Sequence, residues 1–101
     1  MGDILLKVYE SYRWVVAVCD KDVFGRKLKE GSRVLDVSGD FFKGGVFSED
    51  EVRDEIVRCA REDATFNFVG EKSVGIARYL GLVSEEGVIE IEGVPFALVL
   101  L

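Results

Sequence analysis

The chain has 101 residues, 49% of them hydrophobic and 32% charged, with a formal net charge of −6. That length holds one domain, residues 1–101, whose single core removes a little over ~60% of the unfolded chain's surface from water. The apolar content excludes a disordered tail, and charge interrupts every apolar run before the ~18 residues of a membrane-spanning helix. Acidity opposes indiscriminate attraction to phosphate backbones, so binding of nucleic acid would need a segregated basic face. His and Gln are absent, and Thr65 and Asn67 are alone of their kinds. Such a composition suits a heat-adapted cytosol, where side-chain amides are labile and charge desolvation costs less. A cytoplasmic thermophile protein is therefore expected.

Met1 to Lys7 has no basic segment or small-residue cleavage site, so no secretory signal is expected. Ile4, Leu6 and Val8 alternate as in a half-buried strand, and Trp14 to Cys19 is continuously apolar. The polar break from Glu10 to Arg13 joins them as a hairpin whose second strand is central and covered on both faces. Asp20 is placed to cap a short turn through Phe24, which Gly25 stops. Arg33 to Val37 predicts another strand, and Ser38 to Gly45 an ordered loop whose aromatic pair, Phe41 and Phe42, folds onto the core.

Ser48 with Glu51 forms a capping box, predicting a helix over residues 49–63. Val52, Ile56, Cys59 and Ala60 form its apolar face, and Glu49–Arg53 and Asp54–Arg58 are expected ion pairs. Asn67 is expected at the entrance to a second helix, which follows Gly70, buries Val74, Ala77 and Leu80, and closes at Gly81. Gly75 inside it suggests close approach of another backbone. Val88 to Glu92 alternates as a strand, Gly93 permits a tight return, and Phe96 to Leu100 is the last strand, with Pro95 at its start. Together these predict an α+β two-layer sandwich of two helices on a largely antiparallel sheet of about five strands.

No His is present, and no Ser or Cys occupies a nucleophile elbow, so catalysis is disfavoured and no catalytic residue is assigned. Cys19 and Cys59 lack metal-ligand spacing and are read as buried hydrophobes, with an intramolecular disulfide as the minority alternative. Glu90 and Glu92 share a strand face, but alternating acids there signify a wet face. Neither metal nor cofactor is therefore expected. The glycine loop Gly39 to Gly45, with Lys43, and the helix start at Gly70 are each candidate anion cradles, with turn formation as the plainer account. Charge is segregated between Asp20 and Arg33, where Lys21, Arg26, Lys27, Lys29 and Arg33 outnumber the acids. With Lys43, Lys72 and Arg78 this is a candidate basic patch for RNA or an acidic protein partner, with a solvated loop as the plainer account.

Cys19-Asp20, Phe24-Gly25-Arg26-Lys27 with Glu30-Gly31, Phe42 through Gly45, Ala64 with Asn67, Val69-Gly70-Glu71, Gly81 and Gly93-Val94-Pro95 follow in an order that resembles the small archaeal family called domain of unknown function 424. The resemblance spans nearly the whole chain and implies a small archaeal α+β domain. It transfers no catalytic residue. Where the family commonly carries a His and then a polar residue after Gly-Val-Pro, Phe96 and Leu98 stand here, so no role resting on that His carries over.

The leading expectation is a non-catalytic binding module for RNA or a ribonucleoprotein, with Arg26, Lys27, Lys29, Arg33, Lys43, Asn67, Gly70 and Glu71 as its contact residues. One alternative is a small enzyme holding an anionic molecule between the Gly39–Gly45 loop and the Asn67 turn. The other is an assembly protein that dimerises through its apolar carboxyl-terminal strand.

Overall fold

The computed structural model describes residues 2–101; Met1, the first residue of the amino-terminal stretch considered above, lies outside the described residues. Alternating apolar residues build β1 (Ile4–Tyr9), and the continuous run builds β2 (Val15–Asp20). The two pair antiparallel as the expected hairpin, with Ile4 opposite Asp20 and Tyr9 opposite Val15. Further along lie β3 (Lys27–Glu30), β4 (Arg33–Asp36), β5 (Gly45–Phe47), α1 (Glu49–Ala60), β6 (Thr65–Val69), α2 (Glu71–Tyr79), β7 (Ile89–Ile91) and β8 (Val94–Leu100).

The main sheet has six strands, in the order β5-β1-β2-β6-β8-β7, and β3 with β4 makes a separate two-stranded sheet. This is the expected α+β arrangement of two helices on a sheet, with more strands than about five. Only β2 with β6 is parallel; the other neighbours in the main sheet are antiparallel. β2 is central, as its unbroken apolar run requires.

Each sheet face carries its own core. Under the helices, Ile4, Val16, Val18, Phe66, Phe68, Ala97 and Val99 meet Val52, Ile56 and Cys59 of α1 and Val74, Ile76 and Ala77 of α2. Phe66 and Phe68 stack there at 5.5 Å between ring centroids. Each buried ring stabilises the fold by about 1.5–3 kcal/mol. On the opposite face, Leu5, Ala17, Cys19, Val69, Ile91 and Val94 are covered by Val23, Leu28, Val37 and Phe42. The β3–β4 hairpin therefore lies over one end of that face, while Leu98 and Leu100 remain exposed toward the other end.

The Ser48–Glu51 capping box is present, and α1 ends at Ala60, short of residue 63. Its cations pair one residue closer than expected, Arg53 with Asp50 and Arg58 with Glu55, because the i,i+3 spacing also brings side chains together on a helix. Asn67 is not at a helix entrance. It lies in the middle of β6, opposite Ala17 and Leu98, because Phe66 and Phe68 claim the helix-side core at strand spacing. A Cβ at Gly75 would meet nothing within 4 Å, so no backbone approaches there. Phe42 is buried as expected, whereas Phe41 lies at the surface and stacks on Tyr9. Both cysteines are free and lie on opposite faces of the sheet, so they cannot pair.

Candidate functional site

The carboxyl ends of β2 and β6 lie side by side, with Cys19 opposite Val69, and both chains change direction just beyond. Gly70 turns β6 into α2 with φ +108 and donates its N–H to the Pro95 carbonyl at 2.9 Å. No side chain of that turn caps α2. The cap comes from β2. The Asp20 carboxylate, 4% exposed, accepts from Lys72 N at 2.9 Å, Ser73 N at 2.8 Å and Ser73 Oγ at 2.7 Å. Asp20 thus serves two turns, because its carbonyl also accepts from Val23 N and Phe24 N in the expected local turn. A Cβ on Gly70 would stand 2.3 Å from Asp20 Cγ, so glycine is required both for its φ and for this approach.

The same corner is held from the other side by a reciprocal pair. Glu92 Oε2 accepts from Lys29 N at 2.7 Å, and Glu30 Oε1 accepts from Glu92 N at 2.8 Å. Glu92 and Gly93 both have positive φ, as a two-residue β-hairpin turn between β7 and β8 demands. Cys19-Asp20, Phe24 to Lys27, Glu30, Val69 to Glu71 and Gly93 to Pro95, which carry the family resemblance, therefore meet around one structural corner.

A cleft of ≈ 240 Å³ opens at this corner, with Asp22, Arg26, Glu71 and Lys72 as its exposed charged walls and Gly70 and Gly93 to Pro95 among its lining. The crevice outside the carboxyl ends of parallel strands is where α/β sheets commonly accept ligands. Asp22 and Lys72 also line a neighbouring cleft of ≈ 450 Å³ with Asp3 and Lys21. Lys72 is held in its charged form by the Asp3 carboxylate 3.2 Å away, which raises its pKa. Burial, and then the adjacent Asp20 and Asp22 charges, push the Cys19 thiol up to about 12, so it stays protonated and unreactive at neutral pH. The N–H groups of Lys72 and Ser73 at the start of α2 are already occupied by Asp20, which stands where an external anion would bind. A larger groove of ≈ 560 Å³ lies between α1 and the β1–β5 pair, but its charged lining is Glu51, Asp54 and Glu55 with Arg58, which pairs with Glu55, and none of the corner segments reaches it.

Arg26, Gly70 and Glu71 are brought together by this cleft. Lys27, Lys29 and Arg33 stand exposed on the β3–β4 hairpin. The register sets Lys27 and Lys29 on its outer face, opposite Asp36 and Val34, while Arg33 pairs with Glu30 on the face that carries Leu28. Lys43 is elsewhere. It follows the 3-10 turn Asp40–Phe42, which packs on β1 and β2, and the amides of Lys43 and Gly44 donate within the loop at 3.0 Å each. Tyr9 Oη donates to the Phe41 carbonyl at 2.9 Å, fixing the loop to the sheet. Asn67 lies three residues back along β6 from Gly70, about 10 Å from the corner at strand rise. Among the described residues, neither Asn67 nor the Gly39–Gly45 loop lines any of these clefts.

Asp22 and Lys72 complete the cleft and are not among the expected contact residues. Lys72 is signalled in the sequence as a cation that could extend the basic patch, and it directly follows Glu71. Asp22 stands in the sequence only as an acid diluting the basic segment.

Residues 9–101 match the family described as Protein of unknown function (DUF424). No curated protein matches the chain. The fold is similar to that in the crystal structure of an uncharacterized conserved protein from Methanopyrus kandleri, with TM-score 0.82 and 28% identity over 96% of this chain and 91% of that one. The chain belongs to the DUF424 family.

Proposed function

We propose that the protein is a non-catalytic binding module for RNA or an RNA-containing particle, with the corner cleft and the β3–β4 hairpin as its contact surface. One observation carries this reading. Among the described residues nine of the 13 cations make no ion pair, whereas Arg53, Arg58, Lys72 and Arg78 are all paired. Five of the nine, Lys21, Arg26, Lys27, Lys29 and Arg33, fall between Asp20 and Arg33, the others being Lys7, Arg13, Lys43 and Arg61. Of the acids of the same segment, Asp20 is turned to α2 and Glu30 to Glu92 N, while Asp22 stays exposed at the cleft wall. Unpaired cations thus concentrate between Asp20 and Arg33 in an otherwise acidic chain, with Lys27 and Lys29 on the outer face of the hairpin and Arg33 on the other, and this concentration supports binding of a polyanion there.

In this reading the Arg26 guanidinium offers its fork to one phosphate at the cleft mouth, and Lys27 and Lys29 offer point charges to neighbouring phosphates. Glu71, at the cleft wall, accepts from a ribose hydroxyl or a base amine. Phosphate contacts fix register without reading sequence, so broad binding of single-stranded RNA is expected.

The test is fluorescence anisotropy with single-stranded RNA across a salt series, alongside native pull-down. Neutralising Lys27, Lys29 and Arg33 together should lower affinity and the RNA recovered. The slope of log K against log salt should become shallower by roughly 0.7 for each phosphate that the variant no longer neutralises. Unchanged affinity and slope, or no RNA binding by the unaltered protein at low salt, refutes the proposal.

A further inference from the structure

The two neighbours of β8 cover different parts of it. β6 pairs with Phe96 to Leu100, but β7 pairs only with Val94 to Phe96. Along an antiparallel strand, the N–H and C=O of one residue point to the same side and those of the next residue to the other. The Pro95 carbonyl accepts from Gly70 N on the β6 side, so Pro95, Ala97 and Val99 face β6, and Phe96, Leu98 and Leu100 face the β7 side. Phe96 meets Ile89 there. The place opposite Leu98 would belong to Gly87, but its N–H turns away to Ser84 O at 2.9 Å. Among the described residues, Leu98 and Leu100 therefore have no strand partner and no other backbone bond on that side.

Their side chains are 50% and 72% exposed. Ala97 to Leu100 contains no charge, proline or glycine, so it lacks the devices that protect sheet edges. The outer strands β5 and β7 are shorter, with three residues each, and β7 carries Glu90.

We propose that this open half-edge pairs with the same half-edge of a second copy, antiparallel, about a twofold axis at Val99. Self-complementarity identifies the occupant. An axis at Val99 sets Leu98 against the partner's Leu100, and Leu100 against the partner's Leu98, which satisfies every outward N–H and C=O of both residues. Two leucine pairs then form on the exposed sheet face. An axis at Leu98 would set Leu100 against the partner's Phe96, whose groups β7 already takes, and half the bonds would be forfeited. The contact is small, so the dimer forms in a concentration-dependent equilibrium.

Sedimentation equilibrium or light scattering on the full chain should show the mass rising from one copy toward two across the micromolar range. Leu100→Pro removes an N–H that points away from β6, leaving the β6–β8 ladder intact, and should give a monomer throughout with an unchanged thermal transition. Leu98→Lys with Leu100→Lys keeps every backbone group and should also abolish the dimer through like-charge repulsion. The register is read by Val99→Cys. Facing non-hydrogen-bonded residues lie about 4.5 Å apart at Cα, within disulfide range, so mild oxidation should give a reducible crosslinked dimer. A monomeric unaltered protein, or a dimer that survives the proline and lysine variants, overturns the proposal. A dimer that Val99→Cys does not crosslink overturns its register.

Discussion

Replacing Asp20 with Ala tests whether α2 is completed from β2. The carboxylate accepts three bonds, two of them from Ser73, which is fully buried. Loss of a helix cap costs about 0.5–2 kcal/mol. Leaving a buried donor without a partner costs about 1–3 kcal/mol more. Central values sum to about 3 kcal/mol, which at 4–8 °C per kcal/mol lowers Tm by about 12–24 °C. Urea unfolding with an unchanged m-value is the assay. Asp20→Asn keeps one carbonyl oxygen but turns an amide toward other donors, so it should fall between Ala and the unaltered chain. Adding Ser73→Ala to Asp20→Ala removes the orphaned hydroxyl, so the second change should cost less than it does alone. A loss below about 0.5 kcal/mol for Asp20→Ala, the size of an ordinary surface change, would refute the reasoning.

Gly70→Ala combines a left-handed φ with a Cβ set against the Asp20 carboxylate, so urea unfolding should show a loss above about 1 kcal/mol. Part of that loss should disappear in the Asp20→Ala background, where the steric conflict is relieved. The Ser48 backbone N–H holds the Glu51 carboxyl below its usual pKa, and the Ser38 hydroxyl does the same for Asp36. A depressed folded-state pKa contributes stability above the ordinary carboxylate range and loses it as pH falls through the lowered value. Glu51→Gln should therefore make the acid branch of a stability–pH curve shallower, and an unchanged slope would count against the capping box. Neither thiol should react with a disulfide reagent in the folded protein near neutral pH, and both should react on unfolding, since burial raises both thiol pKa values.

The hairpin, the capping box, α2 and the Gly93 turn are legible because each is written in neighbouring residues. β6 is less so. Thr65-Phe66-Asn67-Phe68-Val69 alternates as a strand, but Asn is depleted in strands and favoured at caps, and Gly70 directly afterwards reinforces the helix reading. β3 is hidden by charge, since Lys27, Lys29 and Glu30 leave Leu28 as its only apolar residue, while β5 has three residues. In the site, Arg26, Gly70 and Glu71 are identifiable as separate features, but their convergence depends on the parallel pairing of β2 with β6. The two roles of Asp20 are only half visible for the same reason. Its carbonyl serves the adjacent turn, whereas its carboxylate serves a helix that pattern alone does not place beside it.

The sequence distance of that carboxylate, 52 residues from Lys72, also bears on how the chain reaches its native state. The first turn of α2 cannot be completed until two distant strands have aligned, so an excised peptide containing α2 should be frayed at its amino end. Ordering of this helix should accompany late, cooperative consolidation of the sheet, as expected where non-local closure precedes its energetic return.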